Sequence, residues 1–170
     1  MTGSDGERRS FDVVVGDASA LTDWAWSQAR DEGTVVRLVR GAKMRTFAAA
    51  YDELAAALQL PYYFGENLDA LEECLADLEW LPGPRHLLLV RDADLLLADE
   101  SDADVAMSSL LTVLARAQSV IAPTDGESPT DEWHRGAPIS VILHATTQTV
   151  PRLRARLVDA GFTAVERPLA

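Results

Sequence analysis

The sequence predicts an α/β layer fold, a small and mainly parallel sheet with helices packed on it. Three observations carry this. Apolar runs of strand length alternate with longer segments whose apolar residues recur at helical spacing. Two of the runs, His86 to Val90 and Ile139 to Leu143, are apolar almost throughout, as expected of strands covered on both faces. The chain has 170 residues, 48% of them hydrophobic, which suffices for one well-buried core and most simply one domain.

The elements follow in order. Residues 1 to about 9 are polar and charged and read as a disordered tail, which leaves 10–170 as the single domain. Phe11 to Val15 is β-rich and is expected to be a strand. Ala18 to Arg30 suits a helix, with Ser19 or Thr22 as candidate caps and Gly33 as its terminator. Trp24 and Trp26 lie two residues apart and so on different faces, which lets at most one sit deep in the core. This first unit can add an edge strand to the sheet. Val35 to Val39 is the next strand, and Gly41-Ala42-Lys43 a turn. Thr46 caps a helix from about Phe47 to Leu58, with Phe47, Tyr51, Leu54 and Leu58 at helical spacing.

Pro61, Tyr62, Tyr63, Phe64 and Gly65 then form a turn. Asn67 caps a helix running from about Leu68 to about Glu79, which Leu81-Pro82-Gly83-Pro84 stops. After the strand at His86, the acids Asp92, Asp94, Asp99, Glu100, Asp102 and Asp104 crowd a loop broken by Leu95 to Leu97. Val105 to Val120 is a long helix with Met107, Leu110, Leu111, Leu114 and Ala117 facing the core. Pro123 to Pro138 reads as a mobile surface loop with Trp133 as its packing anchor. Thr149, Pro151 and Gly161 bracket a last helix in cap, first-turn and C′ roles. Its Arg152, Arg154 and Arg156 make it the one basic segment. Phe162 to Val165 reads as a final edge strand.

The formal net charge of −12 argues against nucleic acid or an anionic membrane as a direct partner, since both require Lys and Arg surfaces. It suits a basic protein partner, or simply solubility. Val13 to Val15 is too short for a signal peptide core or a membrane span, so a cytoplasmic location is expected. Cys74 is the only cysteine, which excludes an internal disulfide and a cysteine metal cluster. It reads as a small core residue. His86, His134 and His144 show no ligand spacing, and His86 and His144 flank strands as boundary residues. The Asp92–Asp104 cluster lacks the glycine and terminal glutamate of a calcium loop and reads as solvated. There is no phosphate-binding glycine loop and no hydrolase sequence context. No cofactor or metal is expected.

The unusual stretch is the helix after Asn67. Leu68, Leu71, Leu75 and Leu78 share one face at about 100° per residue, with Cys74 at its margin. Asp69, Glu73 and Asp77 stack at i, i+4, i+8 on the opposite side, with Glu66 and Glu72 close by. Like charges at that spacing destabilise a helix by a few tenths of a kcal/mol, roughly, per pair. No Lys or Arg occurs between Arg45 and Arg85 to offset them. The helix dipole favours Asp69 in the first turn but not Glu73 or Asp77, which lie mid-helix on this reading.

The run LPYYFGENLDALEECL resembles the signature of the barstar family of intracellular ribonuclease inhibitors. The match is tightest at Tyr63, Gly65, Asn67, Leu68, Asp69, Ala70, Leu71 and Cys74, and extends more loosely over about Thr34 to His144. The resemblance implies a barstar-like three-stranded parallel sheet with packed helices. Val35–Val39, His86–Val90 and Ile139–Leu143 would be its strands, and the N-terminal strand-helix unit and the C-terminal helix would be additions. It implies a cofactor-free inhibitor, not an enzyme, acting in the cytoplasm as a monomer when free. Its acidic helix and the loop before it would block the cationic active site of a barnase-like ribonuclease. The chemistry is phosphate mimicry: carboxylates at one-turn spacing take the Arg and Lys side chains that hold phosphodiesters. The partner would be a basic extracellular-type ribonuclease or a nuclease toxin, with the chain as its immunity protein.

At single positions, Tyr63, Gly65 and Asn67 match the family's contact loop, and Asp69 matches its first key acid. Glu73 stands where a shorter Asp is usual and reaches one methylene further. Glu72 replaces an aromatic, Ala76 replaces a hydroxyl residue, and Asp77 extends the acidic face. Arg116 aligns with an acidic contact and reverses its charge. That reversal, with the additional terminal units, keeps open a rival: a regulatory binding module of the same fold whose basic partner is not a nuclease. An enzyme using an acidic pair is disfavoured, because such a pair should converge across a cleft, whereas Asp69 and Glu73 project from one convex helix face.

Overall fold

A computed structural model describes residues 9–30, 33–119 and 139–169. The expected N-terminal tail up to residue 8, the 123–138 loop with Trp133, and His134 lie outside them. Among the described residues, five strands and five helices follow one another. They are β1 (Ser10–Val15), α1 (Ala18–Arg30), β2 (Thr34–Arg40), α2 (Phe47–Leu58), α3 (Leu68–Asp77), β3 (Arg85–Arg91), α4 (Ala103–Ser119), β4 (Ile139–Ala145), α5 (Val150–Asp159) and β5 (Thr163–Pro168).

The strands form one sheet in the order β2-β3-β4-β1-β5, and every neighbouring pair is parallel. This corrects the three-stranded expectation. The three expected strands are present as β2, β3 and β4, side by side, but β1 and β5 extend the sheet beyond β4. β1 is not an edge strand; it lies inside, between β4 and β5. Alternation along β1 explains why, since Phe11 and Val13 face one side and Val14 the other, and all three are buried. A strand with both faces covered belongs in the interior. β5 takes the edge, with Val165 to Pro168 exposed.

The main core lies on one face of the sheet, where α2, α3, α4 and α5 meet Val13, Val39, Leu88, Val90, Val141 and Leu143. Among the described residues α1 alone covers the other face, packing Leu21 on Val14 and Leu89, with Trp24 and Ala25 beside them. Trp26 is exposed, as the two-residue spacing requires. The cap of α1 is neither Ser19 nor Thr22 but Asp17, whose Oδ1 accepts the Ala20 N–H at 2.9 Å. Thr46 does cap α2, accepting from Ala49 N at 3.3 Å. Thr149 does not cap α5 through its side chain; its Oγ1 accepts the Thr146 N–H at 3.1 Å and closes the preceding turn.

The acids between Asp92 and Asp104 are solvated only in part: Asp99, Asp102 and Asp104 are exposed, whereas Asp92, Asp94 and Glu100 are drawn inward. A 3₁₀ turn at Ala93–Leu95 folds them onto α5 and α2. Asp94 is buried and pairs with Arg152. Asp99 takes a two-point bond from Arg45 at 2.6 and 2.7 Å, which holds its carboxyl below the usual range. Glu100 accepts the Phe47 N–H at 2.6 Å, and Asp102 accepts the Val105 N–H at the start of α4. Gly41 sits against this turn so closely that a Cβ there would meet the Asp92 carbonyl oxygen at 2.2 Å.

His86 and His144 stand at strand ends but are fully buried. His86 donates from Nε2 to the Pro82 carbonyl at 3.1 Å. His144 donates from Nε2 to the Gly16 carbonyl and accepts the Asp92 N–H on Nδ1, which ties β1, β3 and β4 together.

Arg156 is the other tie. Its guanidinium donates to the carbonyls of Asp94 at 3.0 Å, Leu96 at 2.6 Å and Ala103 at 3.4 Å. Burial draws its pKa below the ordinary arginine value, against the opposing pull of Asp104 and Asp94. Arg156→Met keeps the aliphatic stem but leaves these acceptors without their donor. It should destabilise the fold by about 2 kcal/mol, read as a lower urea midpoint with an unchanged slope.

Candidate functional site

The site is built on a short helix whose two ends are fixed by different residues. At the N-terminus, Asn67 Oδ1 accepts the Ala70 N–H at 2.9 Å, while its Nδ2 donates to the Gly65 carbonyl at 3.0 Å. One side chain thus caps α3 and closes the turn before it. Gly65 is needed for that closeness, because a Cβ there would lie 3.1 Å from Asn67 Nδ2. At the C-terminus the helix closes at Asp77, earlier than the expected Glu79. Leu78 adopts a left-handed conformation (φ 46°) and sends its N–H to Cys74 O. Two residues further on, Trp80 Nε1 donates to the Leu58 carbonyl at 3.0 Å, which ties the turn to the end of α2.

The inner face is as the leucine spacing predicts. Leu71, Cys74, Leu75 and Leu78 are buried, and Leu68 packs half-buried against them. Asp69, Glu73, Ala76 and Asp77 are exposed on the outer face. No ion pair among the described residues involves Asp69, Glu73 or Asp77. The early end of the helix changes the status of Asp77. It is not mid-helix but the last helical residue, where the negative end of the dipole opposes it. Burial pushes the Cys74 thiol pKa up, and the nearby Glu73 and Asp77 carboxylates push it the same way.

Glu72 differs from its neighbours. It is half-buried, and Arg116 of α4 donates to both of its oxygens, at 3.1 and 3.3 Å. The acidic face is therefore not wholly uncompensated. Its flank next to α4 is neutralised by a cation that lies 44 residues away in sequence. No local pattern announces this pair. Arg116 comes to the site as the partner of Glu72, at its rim.

The loop before α3 divides its aromatics. Phe64 is half-buried edge-on to Tyr51, with ring centres 5.9 Å apart, and its N–H closes a turn on the Pro61 carbonyl. Tyr62 and Tyr63 point outward, Tyr63 at 68% exposure and Tyr62 fully, and pack edge-on against each other at 5.5 Å. Glu66 has positive φ (49°) and, like both tyrosines, is exposed. Tyr62 and Glu66 thus join Tyr63, Gly65 and Asn67 at the mouth of the helix, although the residue-by-residue match singles out neither. Three consecutive aromatics cannot all turn inward, and that was the available signal for Tyr62. Among the described residues, no group of His, Cys, Asp and Glu is arranged to hold a metal.

The described fold aligns with chains in solved ORC structures. A Drosophila ORC structure bound to AT-rich DNA and Cdc6 aligns with a TM-score of 0.49 at 17% identity, over 96% of this chain and 50% of that one. The Aeropyrum pernix ORC2 protein, solved as ADPNP–ADP complexes, gives 0.54 at 12% identity, over 95% of this chain and 42% of that one. Drosophila ORC bound to DNA gives 0.48 at 16%, over 95% and 82%. The chain thus spans half of the first relative's length and less than half of the second's, and at such identities the likeness concerns the fold alone. No curated protein sequence matches. Residues 34–143, which run from β2 into β4 and include the whole capped helix with its aromatic loop, match the family model described as Barstar (barnase inhibitor); the chain belongs to the barstar family.

Proposed function

We propose that this protein inhibits a barnase-like ribonuclease by seating the outer face of α3, and the loop before it, in the enzyme's cationic active site. Membership of the family gives a barnase-inhibitor-like role in protein binding. The observation that carries the finer reading is the unpaired ridge of Asp69, Glu73 and Asp77. The three carboxylates are exposed, each one helical turn from the next, on a helix whose ends are fixed. Repulsion between them and the dipole at Asp77 both work against the free protein. A cationic cleft would turn those costs into charge-assisted hydrogen bonds.

Tyr63, Gly65 and Asn67 form the contact loop on this reading. Glu72, Ala76 and Arg116 border the ridge. The protein acts in the cytoplasm without a cofactor, on a basic extracellular-type ribonuclease or a nuclease toxin. No helix among the described residues is long and apolar enough to cross a membrane.

One observation favours a second reading, a regulatory module whose basic partner is not a nuclease. The Arg116–Glu72 pair puts a cation on the rim of the acidic face, where a barnase-like surface would bring cations of its own. Two other readings fit less well. A hydrolase pair should face across a cleft, but Asp69 and Glu73 stand on an outer helix face. A nucleotide phosphate would use a helix N-terminus after a strand, as at the start of α1, yet there Asp17 already supplies a carboxylate to the free N–H of Ala20.

Three outcomes test the proposal. Glu73→Gln removes two repulsive one-turn contacts, so urea melts should show stability unchanged or higher by a few tenths of a kcal/mol, roughly. The same change should weaken the nuclease complex by about 2 kcal/mol, because it removes a charged hydrogen bond. Clear destabilisation with inhibition intact would assign Glu73 to the fold instead. Tyr63→Ala should cost the complex more than about 1 kcal/mol and leave the thermal midpoint of the free protein in place. The association rate should fall steeply as salt rises, because ridge and rim carboxylates steer the encounter at long range. A rate that stays flat in stopped-flow experiments from low to high salt would exclude the ridge as the docking element.

A further inference from the structure

We infer that the chain pairs with a second copy of itself across the open β2 edge of the sheet, using β2 and the adjoining flank of α1. Parallel sheets are normally covered on both faces, and here α1 is the only described helix on its side. It leaves a groove of about 290 Å³ against β2, lined by Thr22, Ala25, Trp26, Ala29, Val36 and Leu38. Trp26 is 64% exposed and Leu38 41%, which makes this an apolar strip in a chain of net charge −12. The strip joins the outer backbone edge of β2, which Glu53 of α2 caps at the Arg40 end. β2 pairs only with β3 among the described strands. The Arg40 N–H turns away from β3, to Glu53 Oε1 at 3.1 Å. Strand alternation turns the backbone groups of Val36 and Leu38 the same way.

These features are self-complementary. A two-fold axis along the sheet normal sets β2 antiparallel to its copy and lays the two α1 helices antiparallel on one face. Each Trp26 then meets the groove of the other chain. Asp23 and Arg30 are exposed and lie seven residues apart, close to two helical turns, on one flank of α1. The antiparallel arrangement puts Asp23 of each chain opposite Arg30 of the other, twice over. Such matched pairs fix register and orientation more than they add affinity. α3 lies on the opposite face of the sheet, so pairing leaves the acidic ridge free. The strip thus speaks against a free monomer, which the resemblance alone suggests.

The test is the oligomeric state of the full chain by analytical ultracentrifugation, from about 5 to about 200 µM at low and high salt. A reversible dimer is expected. It should tighten with salt, because screening relieves the net negative charge and the approach of the two Arg37 side chains. That is the opposite salt response to nuclease binding, so failure of one idea is separable from failure of the other. Trp26→Glu should raise the dimer Kd by about tenfold or more, with the fold checked by circular dichroism. Leu38→Lys gives a second variant should that one fail to fold. Asp23→Arg and Arg30→Asp should each weaken the dimer, and the double variant should recover it. A chain that stays monomeric throughout overturns the inference. So does a dimer that tolerates Trp26→Glu and Leu38→Lys, or charge reversals that do not rescue each other.

Discussion

The burial of Leu71, Leu75 and Leu78 under α3 is what the candidate site depends on. Each fully buried leucine contributes about 1.5–3 kcal/mol. The like-charge contacts on the outer face cost a few tenths of a kcal/mol each, roughly, and the dipole at Asp77 costs about 0.3–1 kcal/mol. The inner face therefore outweighs the outer one several times over. That surplus lets the helix keep a charge arrangement that an isolated peptide would resist. The sequence of α3 can then vary its outer face almost independently of its fold, provided the leucines remain.

Order at the two ends of α3 matters as much as its charge. Asn67 and Gly65 lock the entry turn, and the Trp80–Leu58 bond locks the exit. Carboxylates on a helix held in this way need little reorganisation to meet a partner, so less conformational entropy is lost on binding. Tyr62 and Tyr63 add two large side chains with few rotatable bonds beside the ridge. The Glu72–Arg116 bridge sets the boundary of the negative surface and gives it a definite edge toward α4.

Much of this was legible in the sequence, and the exceptions share a cause. Helical spacing of leucines, the caps at Thr46 and Asn67, and the all-apolar runs at β3 and β4 depend on near neighbours, so they can be read locally. The place of β1 inside the sheet depends on β4 and β5, more than a hundred residues downstream. The run of acids after β3 does not reveal that Asp94 is buried or that Asp99 and Glu100 are held, because their partners, Arg152, Arg45 and the backbone of α2, come from distant segments. Glu72 and Arg116 are the same case within the site. The end of α3 shifted for a subtler reason: Leu78 is apolar enough to be pulled wholly into the core, and its left-handed backbone ends the helix two residues early.

The insertion of β1 between β4 and β5 bears on the order in which the protein is made. On the ribosome β1 emerges more than a hundred residues before either of its neighbours. Until then Phe11, Val13 and Val14 have no strand to pair with, and β3 lacks one of its two flanking strands. Contacts of such long sequence separation slow folding, because the loop they close must be ordered before they contribute. α3 and its leucine face are synthesised before β4 and β5, and the sheet beneath them closes only when β5 is complete. On the proposed function the protein has to be folded ahead of its target, which favours a standing pool over synthesis on demand.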